Sequence, residues 1–213
     1  MKKLQSVFFK SVNQLLTPAE KDFLITEKAH EKNIEPAVLK AIVEVESSGS
    51  GFYSEGHPQA GKCKVRFEPD YFAKFTGVNP FFIPKSLSLV EAKKVPEYTG
   101  RLAYEKALMH SPASAIKATS FGLGQIMGFN YLRVGYNSLI EFKDAMEEGE
   151  YKQLEALIEF IVSDQSLLKA AQEKDFISVA RLYNGAHYAE RAYDKKLVSA
   201  YQALSRKKNM VGV

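Results

Sequence analysis

The chain has 213 residues, 46% hydrophobic and 25% charged, with 29 basic against 25 acidic side chains and a formal net charge of +4. That balance suits one globular domain with a sizeable core and excludes a disordered or collagen-like chain, and no run approaches the ~20 apolar residues of a membrane-spanning helix. The single cysteine, Cys63, excludes an internal disulfide, and the scattered His30, His57, His110 and His187 give no metal-ligand spacing; the mild charge suits an ordinary solvated surface, or an anionic polymer, better than nucleic acid.

Residues 1–16 read as an N-terminal extension. They start with a basic Met-Lys-Lys, but Lys10, Asn13 and Gln14 interrupt the stretch behind it and no small-residue cleavage site follows. A protein made in the cytoplasm without a signal peptide is therefore expected. Thr17-Pro18-Ala19-Glu20 then supplies a cap, a proline at the first helical position and a glutamate three after the cap. The helix it opens should run to about Glu31, with Asn33 as a left-handed stop.

A second helix is expected from Glu35-Pro36 through Glu46, ended by Ser47-Ser48-Gly49-Ser50-Gly51. From Gly51 to about Pro96, glycines and prolines interrupt any pattern, except that Lys64 to Glu68 alternates charged and bulky residues like a short strand. Helical spacing returns over 101–109, 113–119, 138–148, 151–171, 176–183 and 191–205. The expected fold is mainly α (α+β): one helical domain over 17–208 with a small irregular or β lobe and a substrate cleft, then a short tail over 209–213.

Three segments can carry chemistry. In Ala37 to Glu46, residues 38, 39, 41, 42 and 45 form an apolar stripe, and Glu46 falls on the same side while Glu44 falls opposite. Burial and the negative end of the helix dipole both raise the pKa of a carboxyl so placed, as a general acid requires. The alternative is a buried glutamate satisfied by structural donors. In Ser120 to Tyr131, glycines 122, 124 and 128 allow close backbone approach and Gln125 offers donors and an acceptor, but no Gly-Lys-Ser/Thr ending supports a nucleotide. A tight-turn packing motif explains the same residues. In Leu182 to Tyr188, tyrosines and Asn184 suit a carbohydrate cleft, although Tyr183 and Tyr188 would serve equally as core residues.

Together, Glu46-Ser47, Gly122-Leu-Gly-Gln-Ile126 and Tyr183-Asn-Gly185 resemble, in order and in chemistry, the segments of the lysozyme-like superfamily. The sequence is more closely similar to the N-acetylmuramidase domain of phage endolysins, through Val45 to Phe52, Phe67-Glu68, Gly122 to Tyr131 and Tyr183 to Gly185. It departs from that family at Phe121, where relatives tend to have tryptophan, and in having only about 16 residues where many relatives carry a wall-binding module.

The resemblance implies a lysozyme-like fold and cleavage of the β-1,4 bond between N-acetylmuramic acid and N-acetylglucosamine in peptidoglycan. Glu46 would be the general acid. Glu68 would be the second carboxylate, unless it serves a salt bridge with Arg66 or Arg101, and Asp70 is a weaker substitute. Gln125, Tyr131, Tyr183 and Asn184 would bind substrate. No metal or other cofactor, no nucleic acid and no membrane segment is expected, and the enzyme should act on the wall as a monomer after release from the cell. Two alternatives remain open: a lytic transglycosylase giving an anhydro sugar, and a non-catalytic wall-binding module.

Overall fold

The computed structural model describes residues 15–211. α1 (Pro18–Glu31) begins with a complete capping box: the Thr17 side chain accepts from the Glu20 N–H, and the Glu20 carboxylate accepts from the Thr17 N–H. Pro18 occupies the first turn, where its missing N–H leaves no partner unmet. Asn33, at φ 53°, reverses the chain, and α2 (Pro36–Ser47) follows. α2 buries Val38, Leu39, Ala41, Ile42 and Val43 and exposes Glu44. Ser48 and Gly49, both in the left-handed region, end it.

β1 (Val65–Phe67) is the expected strand. The chain around it is more regular than its composition suggests, because prolines start helices here rather than break them. α3 (Pro69–Thr76) and α5 (Pro96–Thr99) both begin on a proline, and between them α4 (Leu89–Ala92) is capped by Ser88 and Glu91. α6 (Arg101–His110) and α7 (Pro112–Lys117) lead into β2 (Thr119–Phe121) and β3 (Ile126–Met127).

The glycine-rich segment is thus the turn of a hairpin in a three-stranded antiparallel sheet of order β1-β2-β3. The register sets Arg66 opposite Ser120 and Ser120 opposite Met127, and all three side chains face the cleft.

The remaining chain is helical: α8 (Leu139–Glu148), α9 (Glu150–Val162), α10 (Gln165–Glu173), α11 (Phe176–Asn184), a 3-10 turn at Ala186–Arg191, and α12 (Tyr193–Val211). The single helix expected over 151–171 is two. Asp164 restarts the chain by accepting from the Ser166 and Leu167 N–H groups, and such a local cap ends the preceding helix whatever the apolar spacing.

The chain ends also differ from expectation. Helix α12 continues past residue 208 to Val211, and Leu16 is already buried and donates its N–H to Glu150. The rest of the expected extension, residues 1–14, and the last two residues of the expected tail lie outside the described residues.

One core joins both lobes. Phe121 is fully buried and meets Tyr104 and Phe142 edge-on, each at 5.5 Å, so the position that departs from the family pattern has a packing role. α12 packs against α2, and α11 packs against α10 and α12. These contacts bring the last third of the chain onto the end of α2. No helix of the described residues is long and apolar enough to cross a membrane.

Candidate active site

Glu46, one residue before the end of α2, stands at the base of a cleft of about 630 Å³ between the helical lobe and the sheet. Its side chain is part-buried, so one edge meets the cleft while protein surrounds the rest. Burial raises its pKa to about 7, against the smaller opposing pulls of hydrogen bonds from Tyr193 and Asn184 and of the more distant Arg191 charge. Both donors act on the same oxygen: Asn184 Nδ2 donates to Oε1 at 3.1 Å, and the Tyr193 hydroxyl makes a short hydrogen bond to Oε1. Oε2 is left without a donor among the described residues and can carry the proton.

The turn after Glu46 is held from behind by α9. Glu150, fully buried, accepts from the Gly51 N–H at 2.9 Å, the Ser50 hydroxyl at 3.2 Å and the Leu16 N–H at 3.0 Å. It also pairs with Lys21 at 3.0 Å, whose ammonium donates in addition to the Gly49 carbonyl. One turn later, Gln153 accepts from the Leu123 N–H at 2.9 Å and donates to the Met146 carbonyl at 2.7 Å. A Cβ on Gly51 would lie 1.7 Å from Gln153 Oε1, and one on Gly122 would lie 2.4 Å from its Cδ. A side chain at either place would displace the Gln153 amide from its bonds to Leu123 and Met146.

Five of the six expected site residues line this cleft: Glu46, Glu68, Gln125, Tyr183 and Asn184. Gln125, in the left-handed region at φ 46°, accepts from the Ser120 hydroxyl and donates to the Gly122 carbonyl, both at 2.9 Å. Tyr183 donates to the Gly124 carbonyl at 2.7 Å and stacks edge-on against Phe160, so it braces the hairpin turn. Tyr131 does not line the cleft. The 3-10 turn Gly128–Asn130 carries it back against the core, and Met127, Phe129 and Asn130 form the wall instead.

Glu68 is nearly buried and salt-bridged: Arg66 Nε donates to its Oε1 at 2.8 Å, and Lys93 Nζ lies 3.4 Å from Oε2. Oε2 has no hydrogen-bond partner, the lysine being an ion-pair contact without hydrogen-bond geometry. Arg101 pairs with Glu105 and Glu147 rather than with Glu68. Asp70 pairs with Lys93 at 2.9 Å and is absent from the lining of the cleft.

Sequence reasoning missed Tyr193, Lys93 and the aromatic rim formed by Tyr71 and Phe129, whose ring centres are 5.2 Å apart, whereas Arg66 was one of the two partners it offered for Glu68. Tyr193 and Leu197 form one apolar stripe of α12, and that spacing was visible. The hydroxyl's partner 147 residues earlier was not. Cys63 is buried, and burial pushes its thiol up to about 12, which leaves it no thiolate character.

Residues 35–205 match the family model Muramidase, described as N-acetylmuramidase. Among solved structures, the crystal structure of the Burkholderia AP3 phage endolysin is 30% identical to this chain, covers 92% of it and 73% of its own length, and superposes with a TM-score of 0.68. No curated protein matches significantly.

Proposed function

The chain belongs to the N-acetylmuramidase family and has the lysozyme-like fold of an endolysin, and on that premise we propose that it cuts the β-1,4 bond between N-acetylmuramic acid and N-acetylglucosamine with Glu46 as general acid. One observation carries this reading. A carboxyl at the base of the cleft keeps its proton near neutral pH, and both of its hydrogen-bond donors sit on one oxygen. The free oxygen, Oε2, delivers the proton to the leaving glycosidic oxygen as positive charge builds at the muramoyl anomeric carbon.

Glu68 is the other acid among the described residues lining the cleft. Arg66 engages it, so its role in this reading is a fixed counter-charge to that carbon rather than a free base. Gln125 and Asn184 offer amide groups to sugar hydroxyl and acetamido groups, and Tyr71, Phe129 and Tyr188 offer ring faces. Tyr183 acts through the Gly124 carbonyl as a positioning residue. We propose that it acts on the cell wall as a monomer.

The test is mass spectrometry of the fragments released from purified peptidoglycan by wild type and Glu46→Gln. Reducible muramic acid ends, absent with the variant, are expected. Anhydro-muramyl ends would keep Glu46 but replace water by the muramyl 6-hydroxyl, a route favoured by the buried state of Glu68 Oε2. Equal release by both proteins would remove Glu46 from the reaction, and release by neither would leave a wall-binding module.

A further inference from the structure

The cleft does not end at Glu46. A second cavity of about 440 Å³ opens on its other side and shares Glu46, Gln125, Arg66 and Lys93 with the first. The two arms differ in character. The larger one carries Tyr71, Phe129, Tyr188 and Asn130, which suit the faces and hydroxyls of sugars. The smaller one carries Lys64, Arg66, Lys93 and Lys94, and its one acid is Glu46 itself.

Arg66 and Lys93 already have carboxylate partners in Glu68 and Asp70. Lys64 and Lys94 have no ion pair among the described residues. Lys64 donates to the Ser47 carbonyl at 2.8 Å, and burial lowers its pKa while Glu150 and Glu44 support its charge from further away. Lys94 is exposed, with Glu91 as a more distant opposite charge. Two cations without carboxylate contacts, in a concave arm that starts at the proton donor, call for an anion.

The substrate brings one. Resting on the muramidase reading above, the sugar whose C1 bond is cut must lie against Glu46, and that sugar bears a lactyl ether extended by a peptide with free carboxylates. The branch leaves the glycan within one ring of Glu46, where this second cavity begins.

We propose that the Lys64–Lys94 arm is a subsite for the carboxylates of the muramoyl stem peptide. The enzyme then selects strands with free peptide carboxyls over strands of the same sugars whose peptide carboxyls are amides. A part-buried Lys64 and an exposed Lys94 lining one arm hold a carboxylate through charge-assisted hydrogen bonds, which supports a preference of about tenfold.

The test uses glycan strands that carry their stem peptides, the same strands stripped by an amidase, and strands whose peptide carboxyls are converted to amides. Release of sugar ends is followed for wild type, Lys94→Gln and the Lys64→Met/Lys94→Gln double variant. Wild type should prefer strands with free peptide carboxyls over the amidated strands by about tenfold in kcat/KM, carried by KM; the stripped strands keep a lactyl carboxylate and test only cleavage without a peptide. The double variant should bring that ratio close to one, with Lys94→Gln in between. Lys94 is exposed, so the single variant keeps the test open should the double variant unfold. A wild-type ratio near one, or a ratio unchanged in both variants, overturns the subsite. Cleavage of stripped strands tests the muramidase reading separately: its absence on every substrate would fail that reading, whereas cleavage without discrimination would fail only the peptide arm.

Discussion

Two glutamates flank the turn that ends α2, and they meet opposite surroundings. Glu150, behind the turn, has an ammonium, a hydroxyl and two backbone N–H groups directed at its carboxylate. Glu46, in front, has a phenol and an amide on one oxygen and no ion pair among the described residues. Both are withdrawn from water, so burial alone does not tell an acid catalyst from a structural clamp. The neighbours decide: Glu150 is built to hold backbone, and Glu46 is built to hold a proton that it can give away.

The sharpest way to break this contrast is to exchange the consequences of losing each carboxyl. Glu46→Gln should lower kcat on peptidoglycan by about 10²- to 10⁴-fold, the usual contribution of a general acid, with no loss of thermal stability. Glu150→Ala should do the reverse in kind. It leaves Lys21 and the Gly51 N–H without their partner, and chemical denaturation should report a loss of about 3–5 kcal/mol. A Glu46→Gln protein that melts far below wild type, or a Glu150→Ala protein of native stability, would merge the two roles.

A smaller effect is expected at Gly122. Gly122→Ala drives a methyl into Gln153 and forces a rare backbone conformation on alanine, which should cost about 1–3 kcal/mol in the same denaturation assay. Native stability there would mean that Gln153 moves freely.

The smallest effects concern pH. Activity should fall on the alkaline side with a midpoint at about 7, as Glu46 loses its proton. Tyr193→Phe removes a donor that favours the carboxylate, so the midpoint should move upward; a downward move would show that the phenol does not act on Glu46. Stability follows the same sign. A carboxyl whose pKa is raised by folding, here from 4.5 to about 7, contributes fully below pH 4.5, and that contribution is lost as pH rises through 7. The difference between wild type and Glu46→Gln in urea midpoint at pH 5 and pH 8 measures it.

Much of this was legible along the chain, where the interactions are local. The Thr17–Glu20 capping box, the left-handed Asn33, the α2 stripe that turns Glu46 inward and the alternation of β1 all depend on residues within a few positions of one another. Asp164 shows the limit of periodicity: an apolar spacing that continues past residue 162 cannot reveal that one carboxylate caps a new helix. Tyr131 shows the limit of motif matching, since a one-turn 3-10 segment was enough to take it out of the cleft.

The least legible features are the longest-range ones: the Tyr193 hydroxyl on Glu46, the Glu150 clamp on Gly51 and the Lys93 contact with Glu68. Each depends on how separate elements pack, which no local pattern encodes.

The two donors on Glu46 arrive 138 and 147 residues after it in the chain. During synthesis, therefore, the carboxyl emerges long before either of them. A chain cut short before Asn184 lacks both donors and the helix α12 that packs against α2. The site around Glu46 is thus completed only by the last part of the chain to leave the ribosome.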